Sequence, residues 1–137
     1  MNITSVGVIG GGAWGTALAQ TMALAGRKVT LWAYEPDTVR EINEHHINRV
    51  FLPGVTLDKN ITATAKLAEA AACDVILLVP PAQHLRRIAG ELAEHLTDGR
   101  PVVVCAKGIE QATGRLMGEV VAEALPRALH ADLSGPS

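Results

Sequence analysis

Runs of apolar and β-branched residues alternate with amphipathic segments along the chain. Six of these runs are typical of β-strands. They are Ile3–Ile9, Val29–Trp32, Ile61–Ala63, Asp74–Val79, Pro101–Cys105 and Leu129–Leu133. The segments between them repeat apolar positions with the period of a helix and predict five helices. They are Ala13–Ala25, Asp37–Glu44, Lys66–Ala72, Ala82–Leu96 and Leu116–Leu125.

Local signals refine two of these helices. We expect Asp37 to cap the second helix and Gly26 to end the first. In the segment Ala82–Leu96 the large apolar residues share one side of the predicted helix. Its charged residues, Arg86 and Arg87 among them, would therefore form a solvated face.

The order of the elements predicts the fold. The apolar run within Asp74–Val79 is continuous, as in a strand of a parallel sheet that helices cover on both faces. Helical crossovers between parallel strands are right-handed. We therefore predict an α/β fold, a Rossmann-type doubly wound parallel sheet of strand order 3-2-1-4-5-6, with Ile61–Ala63 at an edge. Ligands of such sheets bind at the carboxyl ends of the strands.

A glycine-rich turn with the spacing Gly10-x-Gly12-x-x-Gly15 follows the first strand. We expect Gly10 to allow a sharp turn, Gly12 to let a diphosphate approach the backbone, and Gly15 to let the helix lie close to the strand. Free N–H groups and the dipole at the helix start would bind phosphate without a basic side chain. The motif predicts a dinucleotide site, with Glu35 at the ribose-reading position.

Composition and charge narrow the class of protein. The 137 residues are 48% hydrophobic and 3% aromatic, which suits aliphatic helices packed on a buried sheet. Fourteen acidic and twelve basic residues give a net charge of −2, and no basic stretch offers a track for nucleic acid. No apolar run approaches the ~20 residues of a membrane span, and the start lacks a signal-peptide pattern, so we expect a cytoplasmic protein.

Two further groups of residues could carry chemistry. Adjacent helical residues diverge by about 100°, so the His45-His46 pair cannot easily share an ion and we expect no metal site. Cys73 and Cys105 each lie beside a predicted buried strand. We interpret them as structural thiols rather than as a disulfide or a metal site.

Several blocks of the sequence resemble one known family when they are taken together and in order. They are Gly10–Ala19, Leu31-Trp32, Leu52-Pro53-Gly54, Val79-Pro80, Ala106–Glu110 and Leu133–Ser137. Across its whole length the chain resembles the amino-terminal half of bacterial NAD(P)-dependent glycerol-3-phosphate dehydrogenase. The resemblance implies NAD or NADP as cofactor and a reversible hydride transfer. The substrate would be dihydroxyacetone phosphate, reduced to sn-glycerol 3-phosphate for phospholipid synthesis.

The resemblance also implies roles for single residues. Trp14 matches an aromatic residue beside the cofactor diphosphate, Tyr34 a residue at the adenosine end, and Phe51 a further cofactor contact. With the glycine turn and the strand ends, these give a set of candidate cofactor-binding residues. The set is Gly10, Gly12, Ala13, Trp14, Gly15, Tyr34, Glu35, Phe51, Pro80 and Lys107.

Lys107 is the candidate catalytic residue. It matches a family lysine that reaches both cofactor and substrate, while Gly135 and Ser137 match substrate contacts. Reduction of a ketone needs a cation or a proton donor near the developing alkoxide, and Lys107 is the only lysine on a predicted strand-end loop. The resemblance also implies a following helical domain, which supplies a second lysine as the acid/base. For the full-length protein we expect a homodimer. We expect residues 1–137 to be a dinucleotide-binding domain that is inactive alone.

Three questions stay open at this point. The chain could be a stand-alone nucleotide-binding module, which a stop codon after Ser137 would favour. It could instead belong to another two-domain NAD(P)-dependent dehydrogenase, which would not be expected to show both Lys107-Gly108 and the Ser134–Pro136 segment. Cofactor preference is the third, because Glu35 favours NAD whereas the resemblance, with Arg49 nearby, favours NADP.

Overall fold

A parallel sheet forms the centre of the structure, a computed structural model that describes residues 2–133. In this part of the chain the sheet has six strands in the order β3-β2-β1-β4-β5-β6, which confirms the predicted topology. The strands are β1 (Ser5–Ile9), β2 (Lys28–Trp32), β3 (Ile61–Thr64), β4 (Val75–Leu78), β5 (Pro101–Val104) and β6 (Leu129–Asp132). All neighbouring strands are parallel.

Helices cover both faces of the sheet. They are α1 (Ala13–Leu24), α2 (Pro36–His45), α3 (Leu67–Ala71), α4 (Leu85–Ala93) and α5 (Met117–Ala124), with a 3₁₀ turn at Ala82–His84. One core cluster joins α1 and α2 to the sheet, and the other joins α3, α4 and α5 to its opposite face. Every residue of β4 is buried, as the continuous apolar run predicts. Gly7 lets α3 approach β1, since a Cβ there would lie 2.2 Å from the carbonyl oxygen of Ala70.

Most predicted helices differ from the observed ones at their ends. Asp37 does not cap α2, because Glu35 is the cap and Pro36 is the first helical residue. Proline suits that position since its missing N–H would have no partner there. The segment Ala82–Leu96 begins as the 3₁₀ turn, and its α-helix ends at Ala93. Gly26 does end α1, with φ of +86°.

The parallel register aligns the ends of the central strands. Val8 of β1 lies beside Leu31 of β2 and Leu77 of β4. The turns that follow these strands therefore open at one edge of the sheet, where such folds bind their ligands. Within residues 2–133, no helix combines the length and the apolar character that crossing a membrane requires.

Candidate functional site

A cavity of about 620 Å³ lies at the carboxyl ends of the central strands. All of the candidate cofactor-binding residues line it, and they come from the exits of β1, β2, β4 and β5 and from the loop after α2. The structure therefore brings together residues that are up to 97 positions apart in sequence, from Gly10 to Lys107. Their contacts with a ligand stay predictions. Gly135 and Ser137, the other candidates, lie outside the described residues.

The glycine turn has a distinct geometry at each of its three positions. Gly10 has φ of +131°, and a Cβ there would lie 2.8 Å from the carbonyl oxygen of Val79. At Gly15 a Cβ would lie 1.9 Å from the carbonyl oxygen of Gly10, so this glycine permits the contact between helix and turn. At Gly12 a Cβ would meet no heavy atom within 4 Å. Protein packing thus explains Gly10 and Gly15, whereas the space beside Gly12 is open.

The start of α1 faces this cavity without a side-chain cap among the described residues. Gly12 is the N-cap, and its carbonyl oxygen accepts a hydrogen bond from the amide of Thr16 at 2.9 Å. The N–H groups of the first turn have no acceptor within the helix. Together with the helix dipole, they form a favourable environment for a phosphate group.

A buried asparagine supports the glycine turn from behind. Asn48 is 1% exposed, and its Nδ2 donates to the carbonyl oxygen of Gly11 at 3.0 Å and to Thr16 Oγ1 at 2.9 Å. Its Oδ1 accepts from the amide of Phe51 at 3.3 Å. One side chain therefore joins the glycine turn to the loop that carries Phe51. Asn48 could not be identified from the sequence, because nothing local distinguishes it from an ordinary loop residue.

The exit of β2 carries an acidic side chain on the cavity wall. Tyr34 is 70% exposed, and both it and Glu35 line the cavity. The next two arginines along the chain form ion pairs with carboxylates, Arg40 with Asp37 and Arg49 Nε with Glu41 Oε2 at 3.2 Å. Neither arginine is among the described residues that line the cavity. Glu35 is therefore the charged side chain that lines the cavity at the exit of β2.

Trp14 connects the start of α1 to the exit of β5. Its ring is 50% exposed, and its Nε1 donates to the carbonyl oxygen of Cys105 at 3.3 Å. Trp14 therefore does not pack into the core, although it belongs to the first turn of α1.

Cys73 and Cys105 are free and buried, as expected of structural thiols. Burial raises the pKa of the Cys105 thiol to about 11, so the thiol is protonated at neutral pH.

Lys107 lies in the loop after β5 and lines the cavity. The side chain is exposed, and its Nζ donates to the carbonyl oxygen of Leu133 at 2.9 Å, just beyond β6. An ammonium group thus lies at the edge of the cavity, beside the exit of β5, which β4 separates from β1 in the sheet. This position allows it to stabilise negative charge that develops on a bound molecule.

Two basic residues at the start of α4 also line the cavity, although sequence reasoning did not select them. They are His84 and Arg87. The interpretation of the charged face of this helix as solvated is wrong for Arg86, which is half-buried and pairs with Glu110 and Glu123. Helical periodicity could not show this, because both partners are distant in sequence. Among residues 2–133, no three His, Cys, Asp or Glu side chains cluster closely enough to hold a metal ion.

Comparisons with known proteins agree with this geometry. Residues 5–137 match the family model described as NAD-dependent glycerol-3-phosphate dehydrogenase N-terminus. The chain is similar to two curated proteins named glycerol-3-phosphate dehydrogenase [NAD(P)+]. The one from Caulobacter vibrioides is 57% identical and aligns with 100% of this chain and 41% of its own. The one from Parvibaculum lavamentivorans is 55% identical, with 96% and 40% covered.

A solved structure shows the same similarity in three dimensions. The crystal structure of glycerol-3-phosphate dehydrogenase from Coxiella burnetii superposes with a TM-score of 0.89 at 30% identity. The match covers 98% of this chain and 41% of that one. The present chain therefore spans about 40% of the length of the relatives that it matches.

Proposed function

The chain belongs to the family of the NAD-dependent glycerol-3-phosphate dehydrogenase N-terminus, and we propose that residues 1–137 form the cofactor-binding domain of such an enzyme. The full-length protein would transfer a hydride reversibly between NAD(P)H and dihydroxyacetone phosphate, giving sn-glycerol 3-phosphate for glycerophospholipid synthesis. One observation carries the proposal. The cavity at the strand ends gathers every described residue that the resemblance assigns to the cofactor.

The residues present fit a dinucleotide. The open space beside Gly12 admits a group that approaches the backbone closely, and the uncapped start of α1 supplies N–H donors for phosphate. Tyr34 and Glu35 lie at one end of the cavity and Lys107 at the other. This arrangement supports the adenosine portion beside β2 and the reactive portion beside β5.

In the proposed reaction the cofactor and the protein have different roles. A bound nicotinamide cofactor supplies or accepts the hydride. Lys107 places a positive charge where the carbonyl oxygen of the substrate becomes an alkoxide, which lowers the barrier by electrostatic stabilisation. The contact with the carbonyl oxygen of Leu133 restrains the ammonium group at the cavity edge. Trp14 lines the same cavity, and its bond to the carbonyl oxygen of Cys105 would hold the ring beside a bound diphosphate.

The alternatives weighed from the sequence are less well supported. Relatives at 55% and 57% identity carry the name of glycerol-3-phosphate dehydrogenase, which favours that enzyme over another two-domain dehydrogenase. Lys107 at the cavity edge favours an enzyme over a module that only binds nucleotide. The full-length protein would be a cytoplasmic homodimer. The free thiols Cys73 and Cys105 agree with a reducing compartment. Light scattering of the full-length protein, which measures its mass, tests whether it is a homodimer.

Calorimetry tests the ligand-binding part of the proposal. The 137-residue chain should bind NADH or NADPH, and Gly12→Val should abolish binding because its side chain would fill the open space beside the turn. Gly90→Val is the matched control, since a Cβ at Gly90 in α4 also meets no heavy atom within 4 Å but lies away from the cavity. Binding by Gly12→Val equal to that of the parent would place the ligand elsewhere.

A kinetic assay tests the catalytic part. The chain alone should not oxidise NADH or NADPH in the presence of dihydroxyacetone phosphate, whereas the full-length protein should. In the full-length protein, Lys107→Ala should lower kcat by roughly 100-fold or more, the usual scale for one positioned electrostatic group. Robust turnover by the chain alone, or a Lys107→Ala variant as fast as the parent, would contradict this assignment.

A further inference from the structure

The loop that carries Lys107 is attached to the start of α4 by an amide side chain. We call residues 106–111 the lysine loop. Gln83, in the 3₁₀ turn, donates from Nε2 to the carbonyl oxygen of Ile109 at 3.0 Å. Its Oε1 accepts from the amide of Gln111, also at 3.0 Å. One side chain therefore fixes the backbone on both sides of Glu110.

Glu110, between these two contacts, is held by an arginine. Arg86 Nε donates to Glu110 Oε2 at 2.9 Å and Arg86 Nη2 to Oε1 at 3.0 Å, a bidentate pair. The hydroxyl of Thr113 donates to the same Oε1 at 2.6 Å. Glu110 is 8% exposed, so its carboxylate is buried with all of these donors around it. A planar, two-point contact of this kind fixes orientation as well as distance.

The other end of the lysine loop is joined to β4, since the amide of Ala106 donates to the carbonyl oxygen of Leu78 at 3.0 Å. Gly108 has φ of +117°, and a Cβ there would lie 3.5 Å from the Cβ of Ala82, so the backbone passes directly over the 3₁₀ turn. Lys107 itself is exposed and makes one described hydrogen bond, to the carbonyl oxygen of Leu133. Lys107 and Gly108 therefore lie between the anchor at Ala106 and the anchors at Ile109, Glu110 and Gln111. How both sides are held sets the direction of the lysine side chain.

We propose that Gln83 and Arg86 are positioning residues, which fix the lysine loop through Ile109, Glu110 and Gln111 and so aim Lys107 into the cavity. The inference rests on the proposed function, in which Lys107 acts on the substrate. Stability alone does not account for the arrangement. The pair is only partly buried, and apolar residues of similar volume often stabilise a fold as well as such a pair does, whereas its bidentate geometry fixes one orientation. Both side chains also converge on three consecutive residues of a single loop.

Steady-state kinetics of the full-length protein test this inference. Glu110→Gln keeps the volume but turns an amide N–H₂ toward a guanidinium that has only donors, so the pair breaks. It should lower kcat with dihydroxyacetone phosphate roughly ten-fold or more, since small misplacements of a reacting group are costly. Gln83→Leu should act in the same direction. Gln83 is exposed, so this second variant should fold even if Glu110→Gln does not.

The matched control removes another ion pair far from the cavity. Asp98→Asn breaks the exposed pair with Arg127, whose atoms lie 3.9 Å apart, and should leave kcat unchanged. Thermal unfolding of all variants shows whether a loss of rate merely follows a loss of stability. A kcat loss for Gln83→Leu at a melting temperature equal to that of Asp98→Asn supports positioning.

A double-mutant cycle separates positioning from a general structural role. Glu110→Gln and Gln83→Leu should cost little further rate when Lys107→Ala is already present, because they act through Lys107. Equal losses in the two backgrounds would overturn the inference. So would parent-like kcat for both variants while Lys107→Ala loses rate, an outcome that leaves the proposed function intact. A Lys107→Ala variant as fast as the parent would instead contradict the proposed function itself.

Discussion

Asn48 donates a hydrogen bond from Nδ2 to the carbonyl oxygen of Gly11 at 3.0 Å, across 37 residues of sequence. The bond fixes the middle of the glycine turn from the side opposite the cavity. Because the same amide also donates to Thr16 and accepts from Phe51, it couples the turn to α1 and to the loop after α2. The shape of the glycine turn thus depends on a residue that is itself buried and is not among the residues that line the cavity.

Asn48→Ala should weaken both the fold and cofactor binding. It leaves the amide of Phe51 without its acceptor and the carbonyl oxygen of Gly11 with only the bond from Thr16 Oγ1 at 3.3 Å, which costs about 1–3 kcal/mol of unfolding free energy. Asn43→Ala is the matched control, since Asn43 exchanges two hydrogen bonds with the backbone of Ala63 in β3. Both variants should unfold earlier in urea, but only Asn48→Ala should bind NADH more weakly in calorimetry. Equal affinity of the two variants would show that Asn48 does not shape the turn.

Gly15→Ala should destabilise the fold. Its Cβ would overlap the carbonyl oxygen of Gly10, and such overpacking costs about 1–3 kcal/mol. Gly90→Ala offers the opposite case, because Gly90 lies in α4 with open space beside it and alanine there should stabilise by about 0.5–1 kcal/mol. Urea unfolding monitored by circular dichroism measures both. A Gly15→Ala variant as stable as the parent would mean that the turn relaxes without cost.

Glu35 should make NADH bind more tightly than NADPH. A carboxylate on the cavity wall pairs with ribose hydroxyls and repels a 2′-phosphate, while Arg40 and Arg49 are engaged with Asp37 and Glu41. Glu35→Arg should reverse the order, as calorimetric titration of both cofactors would show. Tighter binding of NADPH by the parent would indicate that one of the two arginines leaves its carboxylate and sets the preference.

Asp74 should make stability depend on pH in the acid range. Hydrogen bonds from the amides of Thr4 and Ser5 to Oδ2, at 2.9 and 3.1 Å, are the main reason that its pKa lies below the ordinary value of 3.8. A group whose pKa is lower in the folded state stabilises it above the unfolded pKa. This contribution is therefore present at neutral pH and lost as the pH falls below about 3.8.

Asp74→Asn provides the corresponding measurement. The variant keeps an oxygen acceptor for Thr4 and Ser5 but removes the charge, so its melting temperature should be lower than that of the parent at pH 7. The difference should narrow below pH 3.8, where the parent carboxyl becomes protonated. A difference that stays constant down to pH 2 would assign the effect to packing instead.

The sequence contained enough information for the sheet and for most of the cavity wall. Apolar runs and a glycine motif are local patterns, and the right-handed crossover rule converts their order into a strand order. Strand order in turn places every strand exit at one edge, so Pro80 and Lys107 could be assigned to the same site as Gly10. Strand order therefore assigns residues that are far apart in sequence to one site without knowledge of their contacts.

Other features could not be predicted, because they depend on contacts between segments that are far apart. Arg86 meets Glu110 across 24 positions and Glu123 across 37. Its place in the helical pattern indicates only that Arg86 points away from the apolar face of α4. The wrong assignment of Asp37 as a cap has a local cause instead, since Pro36 occupies the first helical position and moves the cap to Glu35.

The two tryptophans of the chain, Trp14 and Trp32, both line the cavity but differ in environment. Trp14 is half exposed, whereas Trp32 is 7% exposed and donates from Nε1 to the carbonyl oxygen of Ala65 at 3.1 Å. Indole emission overlaps the absorption band of a reduced nicotinamide, so energy transfer to a molecule in the cavity would quench both rings. The intrinsic fluorescence of this domain should therefore report the binding of NADH or NADPH in the cavity, and Trp14→Phe should remove the contribution of the more exposed ring.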